Sequence, residues 1–99
     1  MDAVFQALGH PTRRILLEEL AADNDQTLFQ LTVGLINKHQ LAISRQAVTK
    51  HLAILREAGL ISSSTRGRTT VHHLDPAPLA AAREWLTRFQ QSTTTKEEP

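Results

Sequence analysis

The sequence predicts a mainly α-helical fold completed by a small β-hairpin, with four helices before the hairpin and one after it. Three observations lead there. Residues 43–61, ISRQAVTKHLAILREAGLI, are apolar at helical spacing and carry start and stop signals at their two ends. Residues 61–74 change to β-branched and small polar side chains around the turn-forming TRGR. Upstream, leucines recur at helical intervals in two separate segments, PTRRILLEELAA and LFQLTVGL.

Each element has its own local reason. Asp2 is placed to cap a short first helix through Leu8, with Gly9 as a left-handed stop. Pro11 opens the second helix, in which Leu16, Leu17 and Leu20 share a side while Arg14 and Glu18 form an i, i+4 pair. DNDQ ends it. Thr27 caps a third helix with Leu28, Leu31 and Leu35 in register, although Val33 and Gly34 make that helix weak by propensity alone. The connection NKHQLA either lengthens this helix or forms a loop. Ser44 caps the fourth helix, Ile43 is placed to staple to Val48, and Val48, Leu52 and Leu55 form its buried stripe. Ala58-Gly59-Leu60 reads as a Schellman ending. Gly67 supplies the positive-φ position of the hairpin, and Asp75 caps a last helix opened by Pro76.

Ninety-nine residues make one small domain. Residues 1–91 are expected to form the single folded unit; STTTKEEP, residues 92–99, lacks the apolar content to fold and reads as a disordered tail. No apolar run is long enough to span a membrane and no export signal opens the chain, so a cytoplasmic, membrane-free location is expected. Cysteine is absent, which excludes disulfides, thiolate metal sites and cysteine nucleophiles. Without tyrosine, a glycine-rich phosphate loop or a carboxylate-histidine cluster, nothing suggests an enzyme.

The net charge of +1 conceals an uneven distribution: residues 1–43 carry −2, residues 44–73 carry +4 and residues 74–99 carry −1. The positive charge coincides with the fourth helix and hairpin. That element order is the order of a winged helix-turn-helix, in which the fourth helix docks by its apolar stripe and turns its polar first turns outward. Arg45 and Gln46 suit base edges, while Ser44, Thr49 and Lys50 suit phosphates near the helix N-terminus. Arg66 and Arg68 flank Gly67 and can follow the adjacent backbone or minor groove. Double-stranded DNA is the partner these residues indicate; a winged-helix protein-interaction module without DNA binding is the alternative, which the local charge opposes.

The segments HPTRRILLEEL, SRQAVTKHLAILREAGLI and GRTTVHHLDPAPL, in that order, resemble the ArsR-type family of bacterial winged-helix transcriptional repressors, over about residues 4–89. The resemblance implies a homodimer built from the first and last helices, operator DNA as ligand, and release on binding an effector. It also adds His51 to the recognition helix and Thr69 to the wing. LDPAPLAAAREWL is most similar to the branch without an evident metal site. LFQLTVGL lacks the cysteines of metal-sensing members, and the last helix lacks the spaced histidines of zinc-sensing members.

Five histidines do not by themselves make a metal centre. His10 precedes the helix-opening proline, and His72 and His73 are strand neighbours that face opposite ways. No metal and no cofactor is expected. Val4, Phe5 and Leu8 on the first helix, with Leu79, Ala82, Trp85, Leu86 and Phe89 on the last, offer apolar stripes wide enough for a twofold homodimer. The sequence leaves open an unidentified small-molecule effector.

Overall fold

The computed structural model describes residues 1–97, with side-chain environments for residues 1–90. The order is α1 (Asp2–Leu8), α2 (Pro11–Ala22), β1 (Gln26–Thr27), α3 (Leu28–Asn37), α4 (Arg45–Glu57), β2 (Ile61–Arg66), β3 (Thr69–Leu74) and α5 (Ala77–Glu97). The tail expected over 92–99 lies outside the residues whose environments are described.

The core is the one the leucine spacing implies. Leu16 and Leu20 of α2, Leu31 and Leu35 of α3, and Val48, Leu52 and Leu55 of α4 are all buried in one cluster with Leu60. Ile43 and Leu41, in the loop before α4, pack against that cluster, so the α3–α4 connection is a loop anchored by two apolar residues. Its turn passes through Gln40 at φ +57°, with the Leu41 amide donating to the Leu35 carbonyl.

Both ends of α4 are specified locally. Ser44 Oγ accepts from the Ala47 amide at 3.1 Å. At the other end the Leu60 amide donates to the Leu55 carbonyl, the Gly59 amide to that of Arg56, and Gly59 sits at φ +77°. That is the hydrogen-bond pair of a Schellman motif. It delivers the chain directly into β2. Thr27 and Gln30 form a full capping box at the start of α3.

Four local expectations are corrected. Met1, not Asp2, is the N-cap of α1, and no side chain caps it. Gly9 has φ −75° and is not left-handed. The reason is downstream: Arg13 donates to the carbonyls of Ala7 and Gln6, and Arg14 to that of Leu8, so the end of α1 is satisfied by arginines of α2. Arg14 therefore serves this role instead of pairing with Glu18. Finally, α5 starts at Ala77, one residue after Pro76, although Asp75 Oδ1 does accept from the Ala77 amide.

The sheet has three strands in the order β1-β3-β2, all antiparallel. The hairpin register pairs Arg66 with Thr69 across a two-residue loop, with Gly67 at φ +63°. The two-residue β1 was not legible in sequence: Gln26 and Thr27 pair with His72 and Val71 and tie the wing to the start of α3. Gln26 is buried, donating to the carbonyls of Glu19 and Asp23 at the end of α2.

A buried carboxylate also escaped the sequence reading. Glu19 receives Lys38 Nζ at 3.3 Å and His39 Nε2 at 2.8 Å, joining α2 to the exit of α3. Burial pushes its carboxyl up, but the hydrogen bonds from His39 and Lys38 prevail and hold it below the ordinary value.

Gly59→Ala should lower folding stability by about 1–2 kcal/mol, because an L side chain is strained at that φ even though its Cβ would meet only Pro78 at ordinary contact. Urea unfolding of the two proteins measures it, and equal midpoints would argue against the left-handed ending.

Candidate nucleic-acid interface

The outward face of α4 exists because its inward face is fully used. Val48, Leu52 and Leu55 point into the core, and helical periodicity then leaves Arg45, Gln46, Thr49 and Lys50 exposed, with Ser44 at the cap. Gln46, Thr49 and Lys50 line one shallow depression on this face. Thr49 Oγ1 donates back to the Arg45 carbonyl at 2.9 Å, which orients its hydroxyl along the helix.

His51 is placed differently. Its ring is half-buried 4.5 Å from that of His10, and its Nδ1 accepts from Arg13 at 3.2 Å. Burial first, then the charges of His10 and Arg13, push its pKa down. The structure thus puts His51 beneath the outward row, where it fixes α4 against the start of α2.

The wing arginines are also unlike each other. Arg66 turns back to Asp25, 3.3 Å away, which also contacts His73 Nδ1 while Ser64 bonds the other ring nitrogen. The His73 hydrogen bond is the largest influence holding the Asp25 carboxyl below its usual range. Arg68, at the hairpin tip, instead faces α4 across a cleft of about 640 Å³ bordered by Thr49, Arg56, Thr69 and Phe29, with Leu52 inside. Among the described residues, none of Arg45, Lys50, Arg56 and Arg68 has an ion-pair partner.

Arg56 is a cation that sequence reasoning passed over, although it lies within the +4 segment. Its Nε donates to Ser63 Oγ at 3.4 Å, and Ser63 bonds His72 Nδ1 at 2.9 Å, so recognition helix and wing are joined by a polar chain. His72 is buried in the opposite sense to His73, as strand alternation requires, and burial, then Arg56 and His73, lower its pKa.

Along α1 and α5, Val4 and Ala82 are already consumed by the protomer's own core. Phe5, Leu8 and Leu79 are half-buried, while Trp85, Leu86 and Phe89 remain 39, 50 and 56% exposed. Phe5, Trp85 and Phe89 form an edge-to-face aromatic row, with centroids 5.3 and 4.8 Å apart.

A helix-turn-helix with a basic exposed second helix, followed by a cation-tipped hairpin, defines a winged-helix DNA-binding regulator. No family model matches the chain. It is 47% identical over 78 residues to the uncharacterized HTH-type transcriptional regulator YuzN of Bacillus subtilis (strain 168), spanning 79% of this chain and 85% of that one. The transcriptional repressor SdpR of the same organism is 32% identical over 89 residues, 90% of this chain and 91% of that protein. An ArsR-like transcriptional regulator from Rhodococcus sp. RHA1 superposes with TM-score 0.77 at 32% identity, covering 96% of this chain and 81% of that one. The chain belongs to the ArsR family of HTH-type transcriptional regulators. Its relatives are regulators rather than enzymes, and no helix among the described residues is long and apolar enough to cross a membrane.

His51 and His72 make stability depend on pH. Their folded pKa values lie below the ordinary 6.5, so the folded state binds fewer protons than the unfolded state in this range. Their contribution is present above pH 6.5 and is lost as pH falls from there through the folded values. Urea unfolding should show the protein weaker at acidic than at neutral pH, with a smaller difference in the His51→Gln, His72→Gln double variant; equal slopes in the two proteins would contradict the assignment.

Proposed function

We propose that this DNA-binding regulator is a cytoplasmic repressor that acts as a homodimer on an inverted-repeat operator, blocking transcription by occupancy. One observation carries the reading: the first turns of α4 and the tip of the wing present cations without acidic partners on a single exposed surface. In this reading Arg45 and Gln46 read base edges, Ser44, Thr49 and Lys50 hold phosphates, and Arg68 with Thr69 follows the backbone beside the wing. His51 contributes by fixing the helix, and Arg66 by fixing the wing through Asp25.

The dimer is proposed from the exposed aromatic row. Joining α1 and α5 of two copies would bury Trp85, Leu86 and Phe89, with Phe5, Leu8 and Leu79 completing the seam. Two recognition helices about 34 Å apart would then meet successive major grooves.

Selection of bound fragments from the source genome, followed by anisotropy titration, tests the DNA face. Arg45→Ala and Gln46→Ala should each cost about 1–3 kcal/mol at particular base pairs, whereas Arg68→Ala should weaken all sequences alike and reduce the salt slope by about one. Arg66→Ala should have a smaller effect than Arg68→Ala. Four unchanged affinities would mean that another surface binds DNA.

For the dimer, Leu86→Asp places a charge in the seam at an exposed position. Light scattering is expected to show a monomer with unchanged helical content and roughly tenfold or greater loss of affinity for the repeat, since half of a linked site is lost. A persistent dimer would move the interface elsewhere.

A further inference from the structure

The cleft between α3, α4 and the wing holds more than a DNA backbone contact uses. Phosphate binding calls for cations and hydroxyls, which Arg56, Arg68, Thr49 and Thr69 provide. It gives no reason for Phe29 to stand 64% exposed at the mouth, or for Leu28 to form part of the lining. Phe29, in the first turn of α3, therefore offers an open apolar surface beside the cations of the cleft.

The volume of about 640 Å³ lies within the range of small-ligand sites, roughly 300–1,000 Å³. No carboxylate borders it. Among the described residues, neither Arg68 nor Arg56 has an acidic partner, and the Arg56 Nε donates to the Ser63 hydroxyl at 3.4 Å. Apolar lining and two guanidinium groups without counter-charges converge in one concave space.

We infer that this cleft is a binding site for a small organic anion with an apolar ring or short hydrocarbon body, its carboxylate met by Arg56 and Arg68 and its body lying on Phe29 and Leu28. Guanidinium groups pair with planar carboxylates by two parallel hydrogen bonds, which suits this charge type. Thr49 and Arg68 belong also to the proposed DNA face, so ligand and DNA exclude each other; that part rests on the DNA reading above. The cleft would thereby couple a metabolite's concentration to operator occupancy without any metal.

The probe is 2-naphthoate, with inorganic phosphate as its counter-probe, titrated into the full chain and followed by amide chemical shifts. Saturable shifts are expected at residues 27–29, 49 and 68–70, with binding weakened roughly tenfold by Arg56→Gln and by Phe29→Ala, and little response to phosphate. Shifts confined to α1 and α5, affinities unchanged by both substitutions, equal binding of phosphate, or no saturation by about 5 mM would each overturn the site. Both substituted residues are exposed, so the fold is kept, and matching amide spectra check this.

A separate titration with duplex DNA keeps the two readings apart. DNA binding without naphthoate decides the DNA face, and naphthoate binding without DNA decides the cleft. Naphthoate should raise the apparent Kd for DNA, and Phe29→Ala should leave the ligand-free DNA affinity unchanged while abolishing that rise. Simultaneous binding of both at full affinity would overturn the exclusion.

Discussion

The stripe of Val48, Leu52 and Leu55 is the constraint on which the rest depends. All three side chains are excluded from solvent. Fully burying side chains of this size contributes about 1.5–3 kcal/mol each, more than any surface pair on the same helix. Because the helix cannot rotate without exposing that stripe, the direction of Arg45, Gln46, Thr49 and Lys50 is set by packing. The Schellman ending at Gly59 extends the same constraint into the wing. Leu60 is buried as part of the core, its carbonyl accepts from the Asp75 amide, and β2 must leave in a fixed direction.

The charges of the molecule divide into those the fold consumes and those it leaves. Arg13 and Arg14 satisfy the last carbonyls of α1, Lys38 serves Glu19, and Arg66 is held by Asp25. What remains along α4 and at the hairpin tip is Arg45, Lys50, Arg56 and Arg68. An outward cation with no carboxylate in reach keeps its full attraction for a polyanion, since none of it is spent internally. The uneven linear charge thus becomes more uneven in space than in sequence.

Apolar surface is divided in the same way. Ala82 and Val4 complete the protomer, whereas Trp85, Leu86 and Phe89 continue past the last part of α5 that the core can cover. A domain of this size buries a smaller share of its surface than a large one, so apolar side chains beyond the reach of its core stay exposed. Phe29 is of another kind, because it stands away from that row and beside the cations of the wing.

Much of the fold was legible because its signals are local. Ser44, Thr27, Gly59 and Gly67 each act through backbone groups a few residues away, and the leucine spacing of α2 to α4 names the core by periodicity alone. The outward residues of α4 followed from the same periodicity. Contacts between distant segments were not legible. That Gln26 and Thr27 form a strand depends on His72 and Val71, and that Arg66 is paired depends on Asp25, 41 residues earlier. Local hydrogen-bond geometry is written in neighbouring residues, so the sequence determined where elements start, stop and hide their apolar faces. Which cation meets which carboxylate is decided only when the chain closes on itself, and the tertiary structure alone assigned Arg68 and Arg56 to the cleft, paired the exposed Arg66 with Asp25 and packed His51 against His10.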